Sequence, residues 1–432
     1  MPSSQPLPSV DIPAADAAEL VTAKQACAML GVKLATLYTY VSRGRLHPVA
    51  QAGTRANLYR RDEIESLLGR GLVRAATGPA ASTLAGSSPV IQSSITAITP
   101  QGPRYRGHLA ADLVRYPGAF ENVAELLWSG VLPGSRHVWP AEPVDVDMQA
   151  VMDAMCVQRM PQLRMMRVLS LAATAMGGGT LAEELRSGSI TRYSRQMLFA
   201  FAGCFGLLGP AHRYHEIQGE QALAEHVLQA VGIDPEPASV DAVNAALILS
   251  ADHDLSPATF AARIAASTGS GLHACVVAAL ATHVGSTLAG GCDLADHLIR
   301  HFDAPAQIQA RVDQAERNRE RLPGFGPAQY SEADPRAAQL IEIAHQLGAP
   351  SREAEMAFRF IECVTERLGL QPDIKLGLAA VCVAAGLPEC SASALWGMGR
   401  TAGWIAHMLE QRLAGVQLRP RSQYTALGAA AQ

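Results

Sequence analysis

The sequence predicts a mainly α-helical protein in two parts, a small basic module followed by a large helical body. Three observations carry this. Ala and Leu abound while aromatics make up only 5% of the 432 residues, so good helix formers dominate. Hydrophobic residues reach 49% against 17% charged, enough to bury a large core and to exclude a disordered chain. The charge is also uneven. Between Val21 and Arg74 lie nine basic residues (Lys24, Lys33, Arg43, Arg45, Arg55, Arg60, Arg61, Arg70, Arg74) and three acids (Asp62, Glu63, Glu65), a net +6. With −4 overall, the rest of the chain carries −10.

The elements follow in order. Residues 1–18 are proline-rich with no basic start or apolar stretch, which predicts disorder and no signal peptide. Residues 19–68 form the module. Thr22 is placed to cap a helix over 23–30, with Ala26, Met29 and Leu30 on one face. Gly31 turns the chain. A second helix spans about 33–42, with Leu34, Leu37 and Val41 inward, and Gly44 ends it. Two strand-like stretches, 47–51 and 58–60, join through Gly53, Thr54 and Arg55. A last helix starts near Asp62, with Ile64, Leu67 and Leu68 apolar.

The runs TAKQACAMLGVKLATLYTYVSRGRL and YRRDEIESLL, with this order of elements, resemble the winged helix-turn-helix domains of the MerR and excisionase type. The resemblance implies a recognition helix offering Lys33, Thr36, Tyr38, Thr39 and Arg43 to phosphates and base edges, with Arg55 at the wing tip. A reader this small needs a dimer for useful affinity. The alternative is a protein-contact domain that keeps the fold without binding DNA. Residues 69–88, rich in Ala, Gly, Ser and Thr, read as a flexible linker.

From Pro89 onward, long apolar-periodic stretches alternate with short polar breaks. SSITAITPQGPRYRGHLAADLVRYPGAFENVAELLWSGVLP reads as a short β-hairpin, an R-Y-R-G element at 104–107, and an apolar helix over 120–128 closed by Gly130 and Pro133. Then come LILSADHDLSPATFAARIAASTGSGLHACVVAALATHVGSTLAGG, LPGFGPAQYSEADPRA, and PDIKLGLAAVCVAAGLP with ALWGMGRTAGWIAHMLEQRLAGVQLRPRSQY. Four such segments in this order resemble citrate synthase. The resemblance covers residues 89–432. It implies a two-domain helical fold, with a large subdomain at about 89–289 and 387–432 and a small one at about 290–386. It further implies an obligate homodimer with oxaloacetate and acyl-CoA in the cleft between domains.

Joining an acetyl thioester to oxaloacetate needs a carboxylate to take a methyl proton, a neutral donor for the enol oxygen and another for the ketone. The two substrate carboxylates call for Arg and His donors. By resemblance, A-D-H places His253 on oxaloacetate, D-P-R places Arg336 and R-T-A-G-W places Arg400 on substrate carboxylates, and L-R-P-R sends Arg419 across a dimer into the partner's site. The reacting positions differ. The family's G-P-L-H-G-G reads 286–291 here, with Ala289 for its His. G-F-G-H reads 324–327, with Pro327 for its His, and P-N-V-D reads 372–375, with Lys375 for its Asp. Ala and Pro side chains donate nothing, and a lysine is a cation unless its pKa falls far. The surviving glycines argue against a shifted register.

Asp373 is the substitute base if its loop is irregular; an extended backbone would turn it to the opposite face from Lys375. His273 and His283, on an apolar helix, read as satisfied core residues. His297 and His301 have the i, i+4 spacing of a metal-binding pair, but no third ligand stands nearby in sequence, so they read as a solvated helix face. No resident metal or cofactor is expected. There is no Walker loop, G-x-G-x-x-G or G-x-S-x-G elbow. The eight cysteines lack a C-x-x-C pair and read as reduced, mostly buried thiols of a cytoplasmic protein. The uncharged stretch 274–292 reads as a core helix running into a loop, with no membrane role.

Together these readings predict a regulator or sensor that binds oxaloacetate, citrate or an acyl-CoA with a degenerate active site and is joined to a DNA-binding domain. One alternative is a citrate or 2-methylcitrate synthase that condenses acyl-CoA with oxaloacetate through relocated residues or beside a catalytically intact paralogue. A second is a scaffold that binds neither DNA nor ligand.

Overall fold

The computed structural model describes residues 20–30, 34, 37, 41, 46–50, 57–61, 64, 83–84, 91–116, 118–142, 144, 146–154, 164–177, 181–182, 184, 190–217, 219–285, 287–326, 330 and 333–420. In the module, β1 (Leu20–Thr22), β2 (Pro48–Ala50) and β3 (Asn57–Arg60) form an antiparallel sheet in the order β1-β3-β2. Helix α1 (Ala23–Leu30) begins at the predicted cap. Thr22 Oγ1 accepts the Gln25 N–H at 3.3 Å, and the Gln25 side chain accepts the Thr22 N–H at 2.8 Å. This is a reciprocal capping box.

The module's own core is Ala26, Leu37, Leu46, Tyr59 and Ile64. Leu34, expected inward, is instead 47% exposed. Leu37, one turn further on, is wholly buried, and so small a core does not extend to the preceding turn. Strand β1 was not anticipated, because three residues carry too short a pattern to read. The expected DNA-contacting residues Lys33, Thr36, Tyr38, Thr39, Arg43 and Arg55 lie outside the described residues, as do Leu67 and Leu68. Part of the expected linker is a strand: β4 (Thr83–Leu84) pairs in parallel with β8 (Arg419–Pro420). Pairing with a distant strand, not local pattern, makes it one.

The body opens with the expected hairpin, β5 (Thr96–Thr99) and β6 (Gly102–Tyr105), joined by β7 (His108–Leu109). Helices α2 (Ala110–Arg115) and α3 (Phe120–Ser129) follow, and Gly130 ends α3 in the left-handed region at φ 75°. Next come α4 (Met148–Ala154), α5 (Met165–Ala175), α6 (Ile190–Cys204) and α7 (Leu223–Ala230). Four of the later helices start with proline at the first position, where a missing N–H costs nothing. These are α8 (Pro237–Ser250), α9 (Pro257–Ser267), α12 (Pro305–Asn318) and α13 (Pro335–Leu347). Between them lie α10 (Leu272–His283) and α11 (Ala289–Arg300). The remainder are α14 (Arg352–Leu368), α15 (Ile374–Ala384) and α16 (Ser391–Ala414).

Helix α16 is the axis of the body. It is buried continuously from Ser391 to Met408 and packs against α8, α9, α10, α11 and α15. A helix buried on all sides needs no polar face, which is why the stretch around Trp396 and Trp404 shows so little alternation. Helix α10 is the uncharged stretch of the sequence, and it lies in the core. Among the described residues no helix is long and apolar enough to cross a membrane. The seven described cysteines are free, and four of them are buried.

An ionic group joins module to body. Glu125 on α3 accepts from Arg61 of the module at 3.0 Å and from Arg195 on α6 at 2.7 Å. Burial alone would raise the Glu125 carboxyl, but the two guanidinium groups hold it below the usual carboxylate range.

Candidate active site

A cavity of about 290 Å³ opens where the ends of several helices meet. It is lined by His253 after α8, Ser256 and Pro257 at the start of α9, His283 at the end of α10, and Leu288. Asp334 and Arg336 come from the start of α13, Asp373, Ile374 and Lys375 from the start of α15, and Trp396 and Arg400 from α16. A larger cleft, about 810 Å³, lies between residues 141–149 and 213–217 and contains none of the motif residues. Concave volume alone does not mark a site; convergent polar groups do.

The R-Y-R-G element positions the first of these groups. The buried Tyr105 hydroxyl lies 3.1 Å from the carbonyls of Ile248 and Asp252 and accepts the Asp252 N–H at 3.3 Å. It thereby fixes the loop that carries His253. Glycines position the next. A Cβ at Gly403 would overlap Asp252 Oδ1, and one at Gly399 would overlap Ser250 Oγ. Only glycine at these two places lets α16 approach the end of α8 so closely.

Arg400 stands between those glycines and is 2% exposed. Its Nη2 donates to Ser256 Oγ at 2.6 Å and to Thr259 Oγ1 at 2.9 Å. Its Nη1 lies 3.6 Å from Asp252 Oδ1, and among the described residues that buried nitrogen has no hydrogen-bond acceptor. Asp252 is fully buried. Burial works to raise its carboxyl, but His407 at 3.3 Å and Arg400 together hold it far below the usual range. The result is a fixed cation with one donor left unsatisfied, which a ligand carboxylate would fill.

Arg336 is held differently. Asp334 caps α13 by accepting the Arg336 N–H at 3.1 Å, and it takes the guanidinium with both oxygens, Nε at 3.0 Å and Nη2 at 2.7 Å. The guanidinium also lies 5.8 Å from the centre of the Tyr330 ring. The Tyr330 hydroxyl is 2.9 Å from His253 Nε2. Burial, then the positive fields of Arg336 and Arg400, push His253 down to about 2, so it stays a neutral donor-acceptor.

His283 corrects a sequence expectation. It is buried, with Trp396 and Trp404 edge-on at 4.7 and 5.4 Å, but it is not satisfied, since its Nε2 has no hydrogen-bond partner among the described residues. Burial pushes it down to about 3. His273 is likewise buried with Nε2 unpartnered, away from the cavity residues. An apolar helical pattern predicts burial but says nothing of hydrogen-bond partners.

The reacting positions are placed as follows. Ala289 is the first residue of α11, fully buried, and Leu288 rather than Ala289 lines the cavity. Pro327 lies outside the described residues. Lys375 lines the cavity, and its Nζ is 2.6 Å from Asp373 Oδ2. The other Asp373 oxygen accepts the Lys375 N–H at 2.9 Å, capping α15. The expectation that an extended Asp373 would face away from Lys375 is therefore wrong. Residues two apart share a face of an extended strand, so an extended backbone gives no reason for opposite faces. As a helix cap, Asp373 folds its side chain over the first turn. The glycine loop lies alongside: the Asp373 N–H donates to the Gly324 carbonyl at 2.9 Å and the Gly326 N–H to that of Gln371 at 3.2 Å. Arg419 is exposed in β8 and does not line this cavity.

Residues 85–421 match the family described as citrate synthase, C-terminal domain, and residues 20–71 match a helix-turn-helix domain family. The chain is 27% identical over 350 residues to citrate synthase 2 of Bacillus subtilis, covering 77% of this chain and 92% of that one. It is 25% identical over 342 residues to 2-methylcitrate synthase of Shewanella oneidensis, covering 77% and 90%. Among solved structures, it resembles citrate synthase of Thermoplasma acidophilum in ternary complex with carboxymethyl coenzyme A and oxaloacetate. That likeness has a TM-score of 0.61 at 21% identity and covers 80% of this chain and 96% of that chain. Citrate synthase of Thermotoga maritima gives 0.60 at 20% identity, covering 80% and 95%. These structural likenesses show a shared fold.

Proposed function

The chain belongs to the citrate synthase family, and from that premise we propose that it is a regulator that binds oxaloacetate or a related dicarboxylate without condensing it. One observation carries the reading. The cavity keeps the carboxylate-binding trio His253, Arg336 and Arg400, while the position of the family's base is Lys375, ion-paired at 2.6 Å to Asp373. A paired ammonium does not remove a proton from a thioester methyl group.

The link to the module supports a regulatory role. Arg61 pairs with Glu125, and Glu125 with Arg195. The Arg195 guanidinium sits 5.5 Å over Trp139, which stacks on Trp128 at 5.5 Å. Trp128 Nε1 donates to the carbonyl of Ala402, two residues from Arg400. Closure of the cavity on a dicarboxylate would thus act on α16 and be felt at Arg61, shifting how two modules of a homodimer present their DNA-binding surfaces. The chain acts in the cytoplasm in this reading, with DNA as the partner of the module.

Calorimetric titration of the full chain with oxaloacetate and with citrate tests this, alongside release of free CoA from acetyl-CoA or propionyl-CoA. Saturable binding with no CoA release is expected. The sensor reading fails if neither acid gives heat nor raises the melting temperature at millimolar concentration.

A second reading rests on a separate observation, that Asp373 and His283 line the same cavity. In it the chain is an acyltransferase in which Asp373 takes the thioester α-proton and His283 donates to the enol oxygen. CoA release that disappears in Asp373→Ala would establish this and overturn the first reading.

A further inference from the structure

We propose a transition-metal site formed by His297 and His301 of α11 and Glu389 in the turn before α16. The ligand atoms of these three exposed residues all lie within 4.8 Å of one another. Sequence spacing offered only the histidine pair; the third ligand comes from 92 residues beyond His297, so it is invisible until the chain folds.

The arrangement is built rather than accidental. Asp296, fully buried, accepts the Cys390 N–H at 2.9 Å with one oxygen and Arg300 Nε at 2.6 Å with the other. Arg300 Nη2 donates to the Leu387 carbonyl at 3.0 Å. Buried bonds thus pin the turn on both sides of Glu389 against α11. Supporting bonds of this kind orient the ligands of natural metal sites.

The histidines are also in usable states. His301 Nδ1 lies 2.8 Å from the His297 carbonyl. A carbonyl only accepts, so Nδ1 carries the hydrogen and Nε2 presents its lone pair outward. His297 Nδ1 is 2.8 Å from Glu389 Oε1, and a metal ion would replace the proton between them. The rings are 4.1 Å apart at their centroids. Two imidazoles and a carboxylate suit zinc, with water in the fourth position, and do not suit calcium or magnesium, which prefer all-oxygen shells. A tetrahedral zinc site needs ligand atoms about 3.3 Å apart, so rotation of exposed side chains closes the set. The bound ion would tie α11 to the start of the helix that carries Trp396 and Arg400.

Zinc chloride titrated calorimetrically into the full chain is the test, with His301→Ala and Glu389→Gln as variants and His345→Ala as an exposed control. One equivalent per chain is expected, weakened at least about tenfold in each ligand variant and unchanged in the control. Zinc should raise the melting temperature of the unmutated chain more than that of either ligand variant. All three ligands are exposed, so the variants fold, and their metal-free melting temperatures will show it. The site is overturned if no saturable binding appears, or if the ligand variants bind zinc as the unmutated chain does.

Discussion

On the clamp wall of the cavity, Arg400 and Arg336 are 2% and 6% exposed, and each is locked by a nearly inaccessible carboxylate, Asp252 or Asp334. On the facing wall, the Lys375 and Asp373 side chains are 20% and 14% exposed and, among the described residues, form an ion pair with each other across the start of a helix. The difference teaches which of these side chains the fold itself depends on. A buried guanidinium and its carboxylate belong to the fold, because removing either strands the other's charge in the interior. Lys375 and Asp373 occupy the same first-turn positions as Arg336 and Asp334 but are partly exposed, so replacing either strands no fully buried charge. The two buried arginines are thus structural residues whatever they bind, whereas the Lys375–Asp373 pair is not tied to the core in the same way.

Acid should strike the buried histidines hardest. His226, His253, His273 and His283 are all held below the usual histidine value of 6.5, chiefly by burial, at about 4, 2, 4 and 3. The unfolded chain therefore takes up protons below pH 6.5 that the folded chain refuses, so stability falls as pH falls through that region. From pH 6.5 to 5 the loss is on the order of 5 kcal/mol. Denaturant unfolding across this range measures it, and His283→Phe should flatten the dependence. Stability that is constant from pH 7 to 5 would mean these histidines are not desolvated.

Arg400→Ala should cost about 3–5 kcal/mol by stranding Asp252. A cost under about 1 kcal/mol would break the distinction between the walls. Arg336→Gln should cost about 2 kcal/mol and weaken oxaloacetate binding roughly 10- to 100-fold, measured by calorimetry. Asp334 would keep its bond to the backbone N–H of residue 336, which limits the damage. Asp373→Ala should cost only about 1 kcal/mol, through the lost helix cap. Lys375→Ala should cost less than about 1 kcal/mol, as partly exposed pairs do. If either of these last two abolished dicarboxylate binding, the facing wall would be part of the clamp.

Much of this site was legible in the chain. The spacing of A-D-H, D-P-R and R-T-A-G-W located His253, Arg336 and Arg400, and the structure brings all three to one cavity. The hairpin, the R-Y-R-G turn and the cap at Thr22 were legible too, because each is a short-range hydrogen-bond pattern. Asp373 was misjudged because residues two apart share a face even in an extended strand, and because its helix cap folds the side chain over the first turn. Leu34 was misjudged because periodicity marks the apolar face of a helix, not how far its neighbours extend. The His283 Nε2 without a partner among the described residues, and the reach of Arg61 to Glu125, had no signal at all.

The sequence by itself determined the family, the order of elements and which residue types stand at the motif positions, since each is a matter of residue identity at a spacing. Only the tertiary structure decided the rest: Arg61 reaching Glu125, Asp252 lying beside Arg400, and Glu389 meeting the two histidines of α11. Side-chain pairings of this kind join residues far apart in the chain, and long-range packing sets that geometry.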